Sequence, residues 1–290
     1  MDKINKIAVI GMGLIGGSLC MALKGFAGAQ IVGYDLDENI RLKAARHMLK
    51  NQIYDTPEEA LADAGLVILC TPPHVMADFI KENARSFMSG SVLTDVAGIK
   101  EQIARQINEV LPKTTTYVGC HPMAGKEVGT FDMADKNLFQ DTGFIVVLSE
   151  HPDEKHLQAA TLIEELARHI GCTKILHTTA ERHDAIIAYT SHLMHLVSAS
   201  LCIEYPEDLQ AAHTAGAYRD VTRVAQLNPE LWADLFLMNK ANLLHEVDKI
   251  MHNLGYLREA IDSENRTLLI ELLTTVRQNK DAMNRIISCS

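Results

Sequence analysis

The sequence predicts an α/β chain in two parts: a doubly wound parallel sheet over residues 1–177, then an all-helical part over 178–290. Three observations carry this. Short β-branched runs alternate with helical stretches as far as about His177, as a parallel sheet covered by helices requires. Beyond Thr178 strand signals vanish, and apolar residues recur at helical spacing, as in Leu231, Leu235 and Met238, then Leu243, Leu244, Val247, Ile250 and Met251. A length of 290 residues lies where one hydrophobic core gives way to two.

In order, strands are predicted over 6–10, 31–34, 66–70, 92–95, 116–119, 143–148 and 173–176. Thr178-Thr179-Ala180-Glu181 has the spacing of a capping box, which places the boundary between the two parts there. Asn228-Pro229 marks another helix start, since Asn caps and Pro is tolerated at the first helical position. The helical part has more apolar face than about 110 residues can bury alone, so a homodimer through this part is expected.

A net charge of −10 without a basic cluster disfavours nucleic acid and anionic membranes as partners and favours a small molecule. Uncharged apolar stretches such as 65–73 fall short of the ~20 residues a membrane helix needs. The start, Met1 to Lys6, runs straight into a strand pattern, so the expected residence is cytoplasmic. Six cysteines (Cys20, Cys70, Cys120, Cys172, Cys202 and Cys289) form no Cys-x-x-Cys pair, and neither a metal site nor a disulfide framework is expected. They read as reduced, mostly buried thiols.

Gly11-Met12-Gly13-Leu14-Ile15-Gly16 follows the first strand and opens a helix. The first glycine permits the tight turn, the second lets backbone approach a pyrophosphate, and the third allows close helix packing. The helix start supplies aligned N–H donors from residues such as Leu14 and Ile15. Asp35 closes the second strand about 20 residues later, where a carboxylate accepts hydrogen bonds from the adenosine ribose. The pattern is that of a Rossmann-type domain. Because the carboxylate repels a 2′-phosphate and no Arg follows until Arg41, NAD is expected over NADP. Thr71 and Pro72, after the strand at 66–70, are expected beside the cofactor at the carboxyl edge of the sheet.

His121 is expected in a loop at that same edge, between the strand at 116–119 and Pro122. Its surroundings, Gly119-Cys120-His121-Pro122-Met123-Ala124-Gly125-Lys126-Glu127 with Gly129, resemble the corresponding loop of prephenate and arogenate dehydrogenases. The resemblance covers nearly the whole chain. Gly13-Leu14-Ile15-Gly16-Gly17-Ser18-Leu19, Thr94-Asp95-Val96 with Lys100, His183-Asp184, Ser191-His192-Leu193 with His195, and Arg219-Asp220-Val221-Thr222-Arg223 follow in that family's order. It implies that His121 takes the proton of a ring hydroxyl as hydride passes to NAD and the ring carboxylate leaves as carbon dioxide.

It also implies that Arg223 binds a dicarboxylate substrate, which a planar guanidinium suits. Arg219 lies one turn earlier, and Asp220 is spaced to hold Arg223 by a salt bridge. Among the helical histidines, His192 ranks first and His195 second. His183, nine residues before His192, would face the opposite side of a straight helix and ranks last. Trp232 matches a recurrent family position, although a packing anchor is the simpler reading.

One departure stands out. Where the family usually carries a serine that contacts the catalytic His or the substrate hydroxyl, this chain has Gly98, which removes a contact of about 1 kcal/mol unless a water replaces it. Two other readings stay open. A β-hydroxyacid dehydrogenase would need a lysine on the first long helix of the second part, and none occurs between Thr178 and Tyr205. A non-catalytic NAD sensor would need only the glycines and Asp35, yet His121, His192 and Arg223 are kept.

Overall fold

The computed structural model describes residues 4–47, 52–126 and 129–288. Glu127 of the loop motif, Cys289 and the first three residues lie outside them. The chain forms two compact units, Met1–Asn239 and Lys240–Ser290.

In the first unit, β1 (Lys6–Ile10), β2 (Gln30–Tyr34), β3 (Leu66–Leu69), β4 (Val92–Asp95) and β5 (Thr116–Tyr117) make a parallel sheet in the order β2-β1-β3-β4-β5. Its strands are apolar on both faces because both are covered. Ile7 and Val9 join Leu19 of α1 (Leu14–Ala22) and Leu23, its C-cap, in one core. Ala8 and Ile10 join the other core with Leu61, Ile80 and Ile103. Those three come from the helices α3 (Pro57–Leu61), α4 (Met76–Glu82) and α5 (Glu101–Val110), while α2 (Glu38–His47) follows β2.

The expected strand at 116–119 is not one strand. It stops at Tyr117, and β6 (Gly119–Pro122) starts a second sheet, antiparallel to β7 (Gly143–Val147), which in turn pairs in parallel with β8 (Lys174–Thr178). The parallel sheet therefore has five strands instead of seven, and His121 lies in a strand instead of a loop. The crossing is tight at Gly119. A side chain there would come within 3.0 Å of the Tyr117 hydroxyl and 3.2 Å of Lys100 Cδ. The second sheet buries Phe144 and Val146 against Ile163 and Leu166 of α6 (Glu154–His169).

Helices follow: α7 (Ala180–Ile187), a five-residue π turn at Ala188–His192, α8 (Leu193–Cys202), α9 (Gly216–Thr222) and α10 (Pro229–Met238). Asn228 caps α10 as expected, accepting from the Leu231 amide at 3.1 Å. The cap of α7 is Thr179, which accepts from the Arg182 amide, because Thr178 is spent in β8. The run Ala180–Cys202 is long and apolar enough to cross a membrane by length and composition, a longer apolar stretch than 65–73; its first five residues include Glu181, Arg182 and Asp184. In the second unit α11 (Lys240–Asp262) packs on α12 (Arg266–Ser288), and Met251, Leu254, Leu273 and Val276 are exposed.

Candidate active site

The glycine-rich turn closes as its chemistry requires. Gly11 sits at φ +92°, and a side chain there would meet the Cys70 carbonyl carbon at 2.8 Å, while one at Gly16 would lie 1.8 Å from the Gly11 oxygen. The Met12 amide donates to Asp35 Oδ2 at 2.7 Å, joining the turn to the acid that ends β2. Arg41 is turned onto backbone, donating to the Asp35 and Leu36 carbonyls at 2.9 and 3.1 Å.

Sheet order reverses beside β1, between β2 and β3, which is where such sheets bind nucleotides. Gly13 and the half-buried Ile15 lie at this crevice, and the Leu14 amide donates to the Gly129 carbonyl at 3.0 Å. Thr71, just past β3, has a buried hydroxyl without a hydrogen-bond partner among the described residues, and Pro72 beside it is exposed. The tight turn, the acid at the end of β2 and an unpartnered hydroxyl at the switch point fit a dinucleotide.

His121 reaches the same carboxyl edge through β6, where the Cys120 thiol donates to the Asp95 carbonyl at 3.1 Å. Its Nδ1 lies 2.9 Å from His183 Nε2, and His183 Nδ1 lies 2.7 Å from Asp184 Oδ1. Asp184 also accepts the Lys100 and Glu101 amides at 2.8 Å each, capping α5. On the other side of His121, a Cβ at Gly98 would stand 3.8 Å from Cε1 and 3.9 Å from Nε2. The position where the family usually carries serine thus faces the imidazole, and a Cβ there would be in ordinary van der Waals contact with it and with Leu235.

Beneath this chain of contacts lies an ion pair with no solvent access. Lys100 Nζ donates to Asp95 Oδ1 at 2.5 Å, and the Tyr117 hydroxyl donates to Asp95 Oδ2 at 2.7 Å. Burial, then the neighbouring His183, Lys100 and His192, hold the His121 pKa well below 6.5. Burial is also the largest cause for His183, outweighing its bond to Asp184, and for His192, lowered to about 4.

Folded imidazoles that stay neutral bind fewer protons than the unfolded chain below its ordinary histidine pKa of about 6.5. Their contribution is whole above pH ~6.5 and is lost as pH falls towards the folded values, which for His192 means about 4. Thermal denaturation followed from pH ~7.5 to ~5 should show a falling Tm, each such histidine costing up to about 1.4 kcal/mol per pH unit within its window. A flat Tm would contradict it.

His183 is thus at the centre, where a straight helix would put it on the far side from His192. The π turn explains the difference. It inserts one residue, so nine positions rotate like eight, and the two side chains end about 80° apart instead of opposed. His192 is buried, its Nδ1 3.2 Å from the Asn239 amide nitrogen, which also donates to the Asp184 carbonyl at 2.9 Å. His195 stacks on Trp232 with centroids 3.8 Å apart, so Trp232 is part of the cluster as well as a packing residue. The turn Arg223–Ala225 packs against α8, and the Arg223 charge acts on His195.

Arg219 and Asp220 are exposed on α9; Arg219 donates to the Thr214 carbonyl at 3.5 Å. Among the described residues neither shows a bond to the histidine cluster; Arg223 ends the same helix, its amide donating to the Arg219 carbonyl, and opens the 3-10 turn that follows. Asp184, Tyr117 and Asn239 were not anticipated as site residues. Adjacent His183-Asp184 was the one local signal for Asp184; Asn239 had none.

Two family profiles match this chain: "Prephenate dehydrogenase, nucleotide-binding domain" over residues 20–172 and "Prephenate dehydrogenase, dimerization domain" over residues 179–275. A cyclohexadienyl dehydrogenase of Zymomonas mobilis is 32% identical across 93% of both chains. An arogenate dehydrogenase of Synechocystis superposes with a TM-score of 0.78 at 26% identity, over 96% of this chain and 99% of that one. A prephenate dehydrogenase of Aquifex aeolicus, solved with hydroxyphenyl propionate and NAD+, superposes at 0.84 over 97% and 98%, at 24% identity, a likeness of fold. Sequence profiles over both parts, a relative above 30% identity along almost its full length and a shared fold agree, and the chain belongs to the prephenate dehydrogenase family.

Proposed function

We propose that this chain oxidatively decarboxylates prephenate or arogenate with NAD, His121 acting as general base. What carries the reading is the setting of His121: an imidazole kept neutral by burial, one nitrogen engaged by His183 and the other facing the space at Gly98. NAD, when bound, accepts the hydride that leaves C4 of the ring. The proton of the 4-hydroxyl goes to His121, and the ring carboxylate departs as carbon dioxide, leaving an aromatic ring and an irreversible step.

Gly11, Gly13, Leu14, Ile15 and Gly16 would hold the pyrophosphate, Asp35 the ribose, with Thr71 and Pro72 alongside. His192 and His195 line the substrate side. Arg223 takes a carboxylate, while Arg219 and Asp220 stand at the mouth. Residues 1–177 form the cofactor part and 178–290 the substrate and dimer part; the homodimer is supported by the match to a dimerization domain and by exposed apolar residues on α11 and α12. A cytoplasmic location fits a soluble substrate and cofactor.

The test is NADH formation by purified protein with prephenate and arogenate side by side. Turnover of either one supports the reading; tight NAD+ binding without turnover of either overturns it. On the better substrate, Arg223→Ala should raise KM by about 10- to 100-fold, as expected for a charge-assisted bond, with kcat changed less. A loss confined to NAD+ affinity would remove Arg223 from this role.

A further inference from the structure

We infer that Asp184 and His183 are positioning residues that set the tautomer of His121, holding its proton on Nδ1 and leaving Nε2 bare towards Gly98. The inference deepens the reading of His121 as base and rests on it for its catalytic part, though not for its structural part.

One line of hydrogen bonds runs from Asp184 through His183 to His121. A carboxylate only accepts, and Asp184 already accepts two amides at the start of α5, so His183 Nδ1 must donate to it across 2.7 Å. A neutral imidazole that donates from Nδ1 has an accepting Nε2. The 2.9 Å contact to His121 is then made by the proton on His121 Nδ1, and the lone pair of its Nε2 points the other way. Burial keeps His183 neutral, which closes the alternative in which it donates from both nitrogens.

The relay is itself fixed. His183 and Asp184 have 2% and 1% of their surface exposed, and both Asp184 oxygens hold α5, so the carboxylate is not free to turn. Asn239 adds a bond to the Asp184 carbonyl. With glycine at 98, no side chain at that position can orient His121, and this task falls to its Nδ1 side. When Nε2 takes the substrate's hydroxyl proton, one O–H bond breaks and one N–H bond forms. The resulting imidazolium keeps its Nδ1–H on His183, whose own N–H points to the carboxylate; no second proton has to move.

The experiment has two arms. In the first, 15N-edited NMR of the imidazoles, with His121 assigned through His121→Asn, should find its Nδ1–H tautomer at neutral pH, and His183→Leu should abolish that preference. An Nε2–H tautomer in the parent protein overturns the inference without reference to any substrate. In the second, on whichever substrate turns over, His183→Leu should lower kcat by about 100-fold with the NAD+ Kd and substrate KM within about threefold. His183→Gln, whose side-chain oxygen can take the place of Nε2 as acceptor, should recover kcat to within about tenfold of the parent.

If Gln is as poor as Leu while both variants bind NAD+ normally, the relay is wrong. Should His183→Leu fail to fold, the Gln variant and the tautomer of the parent protein still decide. A parent protein with the Nδ1–H tautomer but no turnover of prephenate or arogenate overturns the proposed function and leaves the relay standing.

Discussion

His121→Asn should lower kcat by about 100-fold or more with NAD+ affinity unchanged, because asparagine occupies similar space yet takes no proton at neutral pH. The measurement is steady-state NADH formation beside an NAD+ titration of each protein. Unchanged turnover would remove His121 from its role. A parallel loss of cofactor binding would make it a structural residue. The parent protein's pH profile adds a sign: with the His121 pKa well below 6.5, its base form persists under mildly acidic conditions, and the acidic limb of kcat/KM should fall below the ordinary histidine range. In His121→Asn that limb should disappear.

The second large effect is on stability. Lys100→Met should destabilise the first unit by about 3–5 kcal/mol, the range for breaking a buried ion pair from one side. Both partners are fully buried, and without Lys100 the Asp95 carboxylate keeps, among the described residues, the Tyr117 hydroxyl and the Ala97 amide as donors. In a unit of this size that corresponds to a Tm lower by roughly 10 °C. Asp95→Asn on top of Lys100→Met should recover much of it by removing the stranded charge, and a single-variant loss under about 1 kcal/mol would count against the argument. Gly119 belongs to the same cluster, since the chain passes from the first sheet to the second so close to Tyr117 and Lys100 that a side chain there would press on both.

Local patterns read well wherever neighbours in sequence are neighbours in space. The apolar strands, the glycine-rich turn with Asp35 and the Asn228 cap each involve one continuous segment or one strand pair, so residue type and spacing suffice. Even the misplaced features are instructive. Thr178 and Thr179 both can cap a helix, and the pairing of β8 with β7 decides which one is available. The seven predicted strands were present in kind, yet whether they share a sheet depends on the break at Val118 between β5 and β6.

By itself the amino-acid order determined the α/β architecture and the dinucleotide cradle, because turn chemistry and hydrophobic period are short-range properties; the candidacy of His121 came from the family resemblance of its loop. Only the tertiary structure decided which histidine serves His121. His183 lies 62 positions away along the chain, and a single extra residue in the π turn swings its face through about 100°. Such a turn has no periodic signature to read. It is stabilised by the packing around it, and so is visible only once the chain has folded.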